Sequence, residues 1–268
     1  MADTHVGTLF DAGAAEFAAW SQRLWDRMGE LTTGVSAPRP GERVLDACCG
    51  AGASAIPAAM AVAPDGSVDA VDLSQALLEQ GRERSAGLPG LRFIAADACT
   101  WPEPGAYDLV QVVHGVAFFS DMDAGTSALV RALRPGGRMA VTVWADGALG
   151  SFLTLLRDAV AAELGHPVDQ AGFQQARERI ADAGTLTAWL ERLGLEGVEV
   201  VRHDRRLPLD PDTAWEFVLG NAARAMLSGL DPAARDRVRD TLGRLMAERG
   251  VTDLDVSVHI ALGRRPRS

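Results

Sequence analysis

The 268-residue chain contains no lysine; all 26 of its basic residues are arginine. That absence excludes a Schiff-base lysine, the lysine of a phosphate-binding loop and a lysine nucleophile. Tyrosine and asparagine occur once each, as Tyr107 and Asn221, so a tyrosine–lysine catalytic pair is excluded as well. There are only three cysteines, Cys48, Cys49 and Cys99. Two adjacent thiols and one distant one make neither a disulfide framework nor a zinc spacing, and no metal is expected. No apolar run approaches a membrane span, because Gln111 and His114 interrupt the best candidate, Leu109 to Phe119. The first residues, Met1-Ala2-Asp3-Thr4-His5, lack a charged segment followed by an apolar one. A cytoplasmic location is therefore expected. Finally, positive charge is scarce: the net charge is −10, and the one dense basic patch is the terminal Arg264-Arg265-Pro266-Arg267. So acidic a surface repels phosphate backbones, which argues against a nucleic-acid substrate.

What is present is an alternation. Short β-rich runs at Arg43–Asp46, Ser67–Asp72, Leu91–Ala96, Tyr107–Val113 and Arg138–Trp144 are separated by helical segments at Ala53–Ala63, Ser74–Ala86 and Asp121–Leu133. This spacing predicts a parallel sheet wrapped by helices, an α/β fold. The later part predicts a helix at Thr185–Leu193, a strand at Val198–Leu207 and a last strand at Leu254–Leu262. Between those strands lies a helical insertion over roughly 211–250, with Asp231 as N-cap, Pro232 at the first helical position and Gly250 past the end. It is expected to cap the site. Near the N-terminus, Phe17, Trp20, Leu24, Met28 and Leu31 form an apolar stripe at helical spacing, a pattern that more often packs into a core than onto a ligand.

The chemistry concentrates at Asp46-Ala47-Cys48-Cys49-Gly50-Ala51-Gly52. A strand runs there into a turn of small residues and then a helix, so backbone approaches a ligand closely and the helix N-terminus offers free N–H groups. Gly50, Gly52 and Ala55 alone also fit a dinucleotide fingerprint, which leaves a nicotinamide-dependent oxidoreductase as an alternative. Acidic residues weigh between the two. Asp72 ends the second strand, where a carboxylate accepts from ribose hydroxyls. Asp97 ends the third, placed to accept from an adenine amine. Asp46 ends the first, where it would repel a pyrophosphate but welcome an ammonium and a sulfonium. Three carboxylates at neighbouring strand ends suit a cationic adenosyl ligand.

The run Val44–Gly52, then Val71-Asp72-Leu73-Ser74, Ala96-Asp97-Ala98, Tyr107-Asp108-Leu109-Val110 and Leu133-Arg134-Pro135-Gly136-Gly137-Arg138 resembles the motif series of class I S-adenosylmethionine methyltransferases. It is most similar to the ubiquinone/menaquinone-type and bacterial natural-product branches. The series covers residues 43–144; where the family usually has glycine this chain has Cys48, a departure that touches the turn's backbone geometry and not the fold. The resemblance implies a Rossmann-like seven-stranded, mostly parallel sheet with its last strand antiparallel, N-terminal helices and a helical cap. It divides the chain into an N-terminal helical lid (residues 1–40) and a methyltransferase domain (41–268), with a cofactor half at 41–145 and substrate or cap elements at 146–195 and 208–250. S-adenosylmethionine is then the cofactor. Asp46, Cys48 and Gly50 would line its methionine part with Gly52 in the same cofactor-binding set, Asp72 would hold the ribose, Leu73 would pack on the adenine, Asp97 and Ala98 would meet the adenine edge, and His114 would close the site.

Methyl transfer needs a base only when the acceptor is neutral. With lysine absent and Tyr107 at the wrong end of its strand, histidine is the candidate. His114 follows the fourth strand; His5 and His166 fall in loose segments; His203 and His259 fall in late strands, where a satisfied structural ring is usual. His114 is therefore either a general base or acceptor-orienting group, or a backbone contact with a bystander ring, and the second carries more weight. Cys48 and Cys49 read as small fillers under the turn. Trp20, Trp25, Phe118, Phe119, Trp144, Phe152 and Phe173 are candidate pocket residues for a planar hydrophobic acceptor, methylated at O or C in a biosynthetic, secondary-metabolite pathway. The expected partner is a small molecule, with neither nucleic acid nor membrane, and the chain as monomer or homodimer. A protein that keeps this fold without methyl transfer, as a cyclase or a binding module, is a third possibility.

Overall fold

The computed structural model describes residues 3–168 and 171–267, with side chains over 6–168 and 175–267. It opens with α1 (Asp3–Asp11), α2 (Ala14–Ala19), a π-helical turn (Ser21–Trp25) and α3 (Asp26–Ser36). The alternation follows: β1 (Arg43–Ala47), α4 (Ala55–Val62), β2 (Ser67–Asp72), α5 (Gln75–Arg84), β3 (Leu91–Ala95), β4 (Tyr107–Val113), α6 (Met122–Ala132) and β5 (Leu133–Trp144). The second half runs through α7 (Gly150–Leu164), α8 (Ala171–Glu178), α9 (Ala183–Arg192), β6 (Glu196–His203), β7 (Arg206–Pro208), α10 (Pro211–Leu219), a 3-10 turn (Ala222–Leu227), α11 (Pro232–Arg249), β8 (Asp253–Asp255) and β9 (Val258–Arg264). Among the described residues no helix is long and apolar enough to cross a membrane.

Seven strands form one sheet in the order β3-β2-β1-β4-β5-β9-β6, parallel from β3 to β5, with β9 antiparallel to both neighbours. This is the Rossmann-like architecture expected. Strand order reverses at β1, so the ends of β1 and β4 diverge and leave a crevice between their following loops. Caps fix the helix starts: the Ser74 hydroxyl accepts from Leu77 N (3.2 Å), Asp121 from Ala124 N (2.9 Å) and Asp231 from Ala234 N (2.7 Å).

Three local departures have physical causes. The Leu133–Gly137 segment, expected as a turn before the strand, is a bulge inside β5: Tyr107 pairs with Leu133 and Leu109 already with Arg138. Gly136 sits there at φ +77° and donates to Arg265 O (3.0 Å), so the extra residues are bound to the chain's end. The strand expected at Val198–Leu207 splits into β6 and β7, and the last strand splits likewise into β8 and β9. β7 and β8 pair as a separate ribbon, which carries Leu207 and Leu254 out of the sheet and into the core beneath the cap helices. Lastly, α3 lies flat on the sheet instead of over the site. Thr32 Oγ1 lies 2.6 Å from Thr142 Oγ1, Ser36 donates to Gln111 Oε1 (2.6 Å), and the buried Arg138 guanidinium donates to the carbonyls of Ser36 and Ala37 and to Glu42. Helix α9 also packs on the sheet, burying Leu186, Trp189 and Leu190. Of the segments expected as lid and cap, α1, α2, the π-helical turn, α7, α8, α10 and the 3-10 turn reach the crevice.

Candidate active site

A cavity of about 390 Å³ opens over the carboxyl ends of β1, β2, β4 and β5, large enough for a small-molecule site. Its floor is the first turn. Cys48 adopts φ +59° and Gly50 φ +51°, turning the chain sharply out of β1. Asp72 ties this turn to the end of β2: one carboxylate oxygen accepts from Gly50 N (2.8 Å), the other from Ser74 N (2.9 Å). Each oxygen keeps a lone pair for a ligand. Burial raises the Asp72 pKa, while these backbone N–H groups pull it down. Asp97 at the end of β3 accepts from Cys99 N (2.8 Å) and also faces the cavity.

Among the described residues, four non-glycine residues have positive φ, and three of them, Cys48, His114 and Leu149, line this cavity. Such backbone persists only where surrounding structure enforces it. At Cys48 the enforcement is visible, since a Cβ on Gly115 would come within 2.7 Å of Cys48 Sγ. Glycine at 115 makes the space that the family's usual glycine at 48 would leave empty. Burial, then the Asp72 charge, push both Cys48 and Cys49 thiols well above their ordinary pKa, so they are protonated fillers.

The cavity wall contains Cys48, Gly50, Asp72, Leu73, Asp97, Ala98 and His114 from the expected cofactor set, and Trp25, Phe118, Phe119 and Trp144 from the expected acceptor set. Four expected residues are elsewhere. Asp46 is fully buried behind the turn: among the described residues Oδ1 has no partner, and Oδ2 is 3.5 Å from Gln111 Nε2. Burial pushes its pKa to about 7; the Ser54 and Gln111 side chains lower it and the Asp72 charge adds to the rise. Gly52, at φ +84°, turns under the site, where a Cβ would meet the Phe93 ring at 2.9 Å. Trp20 and Phe152 are core residues packed edge-on to Phe217, with centroids 4.9 and 5.8 Å away. The π-helical turn explains Trp20: its wider winding takes Trp20, Leu24 and Met28 into the core and brings Trp25 round to stack on Phe17 (4.9 Å, 7°) at the cavity. Phe173 lies on α8 with its side chain outside the described residues.

His114 has a defined setting. Its backbone N–H donates to Thr142 O (2.9 Å), so that group is unavailable to a ligand. The ring stacks on Trp144 (4.1 Å, 22°), and Nε2 is 3.0 Å from Met28 Sδ. A proton on Nε2 points at that weak acceptor, leaving Nδ1 bare, buried and without a partner among the described residues. Burial, reinforced by the Arg177 charge, lowers the pKa to about 3 and keeps the ring neutral. Of the other rings, His259 Nδ1 meets Ala181 O (2.9 Å) as a structural histidine should. His203 differs from that expectation: its Nε2 is buried with no partner. His166 is exposed. His5 has its side chain outside the described residues.

The sequence alone missed several wall residues. Val6, Gly7 and Phe10 come from α1, which is clamped onto α5 by Asp11 Oδ1, accepting from Ser74 Oγ (2.6 Å) and Ala76 N (3.0 Å). Gly7 permits this approach, since a Cβ there would be 2.9 Å from Leu73 O. At the opposite end lie Leu153, Arg157, Arg177 and Asn221. Asn221, alone of its type in the chain, carried a signal; the arginines, 2 of 26 basic residues, carried none.

Residues 7–148 match the model of the ubiE/COQ5 methyltransferase family. A demethylmenaquinone methyltransferase of Clavibacter sepedonicus is 32% identical over 203 residues, 72% of this chain and 80% of that protein. Among solved structures, the [4+2]-cyclase SpnF is similar with a TM-score of 0.60 at 17% identity, over 99% of this chain and 97% of that one. Phosphoethanolamine N-methyltransferase 2 of Haemonchus contortus, in complex with phosphomonomethylethanolamine and S-adenosylhomocysteine, gives a TM-score of 0.53 at 18% identity, over 90% and 52%. At these identities the two structures speak to the fold.

Proposed function

Since the chain belongs to the ubiE/COQ5 methyltransferase family and is an S-adenosylmethionine-dependent methyltransferase, we propose that its acceptor is a small, planar, largely apolar molecule, methylated at O or C in a biosynthetic, secondary-metabolite pathway. Membership displaces the nicotinamide-dependent alternative. The observation that carries the proposal is one continuous cavity with two linings: strand-end carboxylates and a tight turn on one side, and Trp25, Trp144, Phe118 and Phe119 on the other.

The residues present fit the cofactor. Asp72 and Asp97 bring carboxylate acceptors to the wall, and each Asp72 oxygen keeps a lone pair for a ligand beside the backbone N–H it already accepts from. Asp72 would hold the ribose, Leu73 the adenine face, Asp97 and Ala98 the adenine edge, and Cys48 and Gly50 the methionine part. When bound, S-adenosylmethionine supplies an electrophilic methyl group on a positively charged sulfur. The aromatic wall would orient a flat acceptor and exclude water. His114, held neutral, is suited to accept a hydrogen bond from an acceptor hydroxyl rather than to carry off its proton.

Assay of the full chain with S-adenosylmethionine against demethylmenaquinone and a panel of phenols and enols tests the reading. Product should form with at least one planar acceptor. His114→Ala should lower kcat about tenfold to a hundredfold with S-adenosylhomocysteine affinity unchanged. Unaltered kcat would remove His114 from the proposal. A second reading, cyclisation without methyl transfer, draws support from the full-length likeness to a [4+2]-cyclase and from a cavity whose one histidine among the described residues, His114, is held neutral by burial. Substrate consumed without transfer of the methyl label would favour it.

A further inference from the structure

Arg157 on α7 and Arg177 on α8 line the part of the cavity beyond β5, and no other basic side chain lines it among the described residues. Among the described residues the wall also carries four carboxylates. Asp72 and Asp97 belong to the strand ends, while Asp146 and Glu178 are exposed at the rim. The interior of the cavity is thus acidic at one end and basic at the other.

Arg177 is incompletely satisfied in this setting. One Nη donates to Ala148 O at a long 3.3 Å, and Nε is buried with no partner among the described residues. Burial lowers its pKa, the neighbouring Glu178 offsets part of that effect, and the Arg157 charge adds to it. Burying the Arg177 Nε without an acceptor costs free energy that an anion in the cavity would offset. A guanidinium fork whose Nε is free is shaped to receive an oxyanion.

We propose that the acceptor is an acid: a planar apolar molecule bearing a carboxylate or equivalent oxyanion, which Arg177 binds with Arg157 alongside. This rests on the proposed acceptor site and deepens it. Charge would then set the acceptor's direction, its anionic end on α7–α8 and its reactive end toward the strand-end carboxylates. Neutral quinones should be poorer acceptors than planar acids of equal size.

Two fluorescent probes with one ring system test this, 8-anilinonaphthalene-1-sulfonate and the neutral N-phenyl-1-naphthylamine, titrated into the full chain with and without saturating S-adenosylhomocysteine. Energy transfer from tryptophan to the probe reports binding, and the Arg177 and Arg157 variants place it in the cavity. The sulfonate should bind about tenfold or more tighter than the neutral probe. Arg177→Gln should abolish that preference and leave the neutral probe within about twofold, Arg157→Gln should reduce it about threefold, and Arg177→Lys should keep part of it. Equal affinity of the two probes for the unaltered chain overturns the proposal. So does Arg177→Gln that weakens both probes alike, or neither. Calorimetry with S-adenosylhomocysteine separates the two readings: its failure to bind counts against the cofactor site, while the probe preference is still measured without it.

Discussion

At the strand-end side of the cavity the wall is largely backbone, a turn at positive φ and the carboxyl ends of the parallel strands, with two carboxylates, Asp72 and Asp97, that accept from main-chain N–H groups. On the α7–α8 side it is side chains, Trp144, Leu153, Arg157, Arg177, Phe217 and Asn221, brought together from segments up to 77 positions apart, 144 to 221. Backbone geometry at a switch point tolerates little change, because strand order and turn conformation dictate it. A wall of side chains on helices can be rebuilt residue by residue while the sheet stays the same.

Substitutions can break this comparison or sharpen it. The largest effect is expected at Trp20, which belongs to the core joining the N-terminal helices to the cap: Trp20→Ala should cost about 3–5 kcal/mol in denaturant unfolding and change S-adenosylhomocysteine affinity less than about twofold. A large affinity loss with little loss of stability would put Trp20 back on the wall. Next is Asp72→Ala, which should weaken S-adenosylhomocysteine about a hundredfold in calorimetry; unchanged affinity would remove the strand-end side as the cofactor site.

The third effect is one of pH. Burial raises the Asp46 pKa in the fold to about 7, so the fold holds a proton that the unfolded chain releases near pH 4. The stability this contributes is complete below the unfolded value and is lost as pH rises through about 7. Asp46→Asn should therefore gain on the unaltered chain between pH 4 and 7, by about 1.4 kcal/mol per pH unit at most. Parallel stability curves would show that Asp46 is already ionised. The smallest effect is expected at Cys48→Gly, where relief of the left-handed backbone, about 1 kcal/mol, is offset by the packing lost beside Gly115. Thermal unfolding should place the net change within about 1 kcal/mol; a larger loss would make the thiol a structural necessity.

Asp72, Leu73, Asp97 and Ala98 were legible because each follows a strand whose alternation with helices is visible and whose end must face the crevice. Trp20 and Trp25 were not separable: a helical stripe gives one face at 3.6 residues per turn, and the π-helical turn between them changes that count. Asp46 was read correctly as a strand end, yet the tight turn after it buries its carboxylate behind the wall. Arg177 gave no sign, because an arginine on an amphipathic helix is most often solvated.

By itself the sequence determined the sheet, its parallel half, the caps of its helices and the acidic character of the first cavity end. These depend on local periodicity and on residues a few positions apart. Tertiary structure decided which aromatic rings face the cavity, that His114 is neutral, that α3 and α9 serve the sheet, and that two arginines stand opposite the strand-end acids. Those outcomes depend on burial and on contacts between distant segments, which no local pattern encodes.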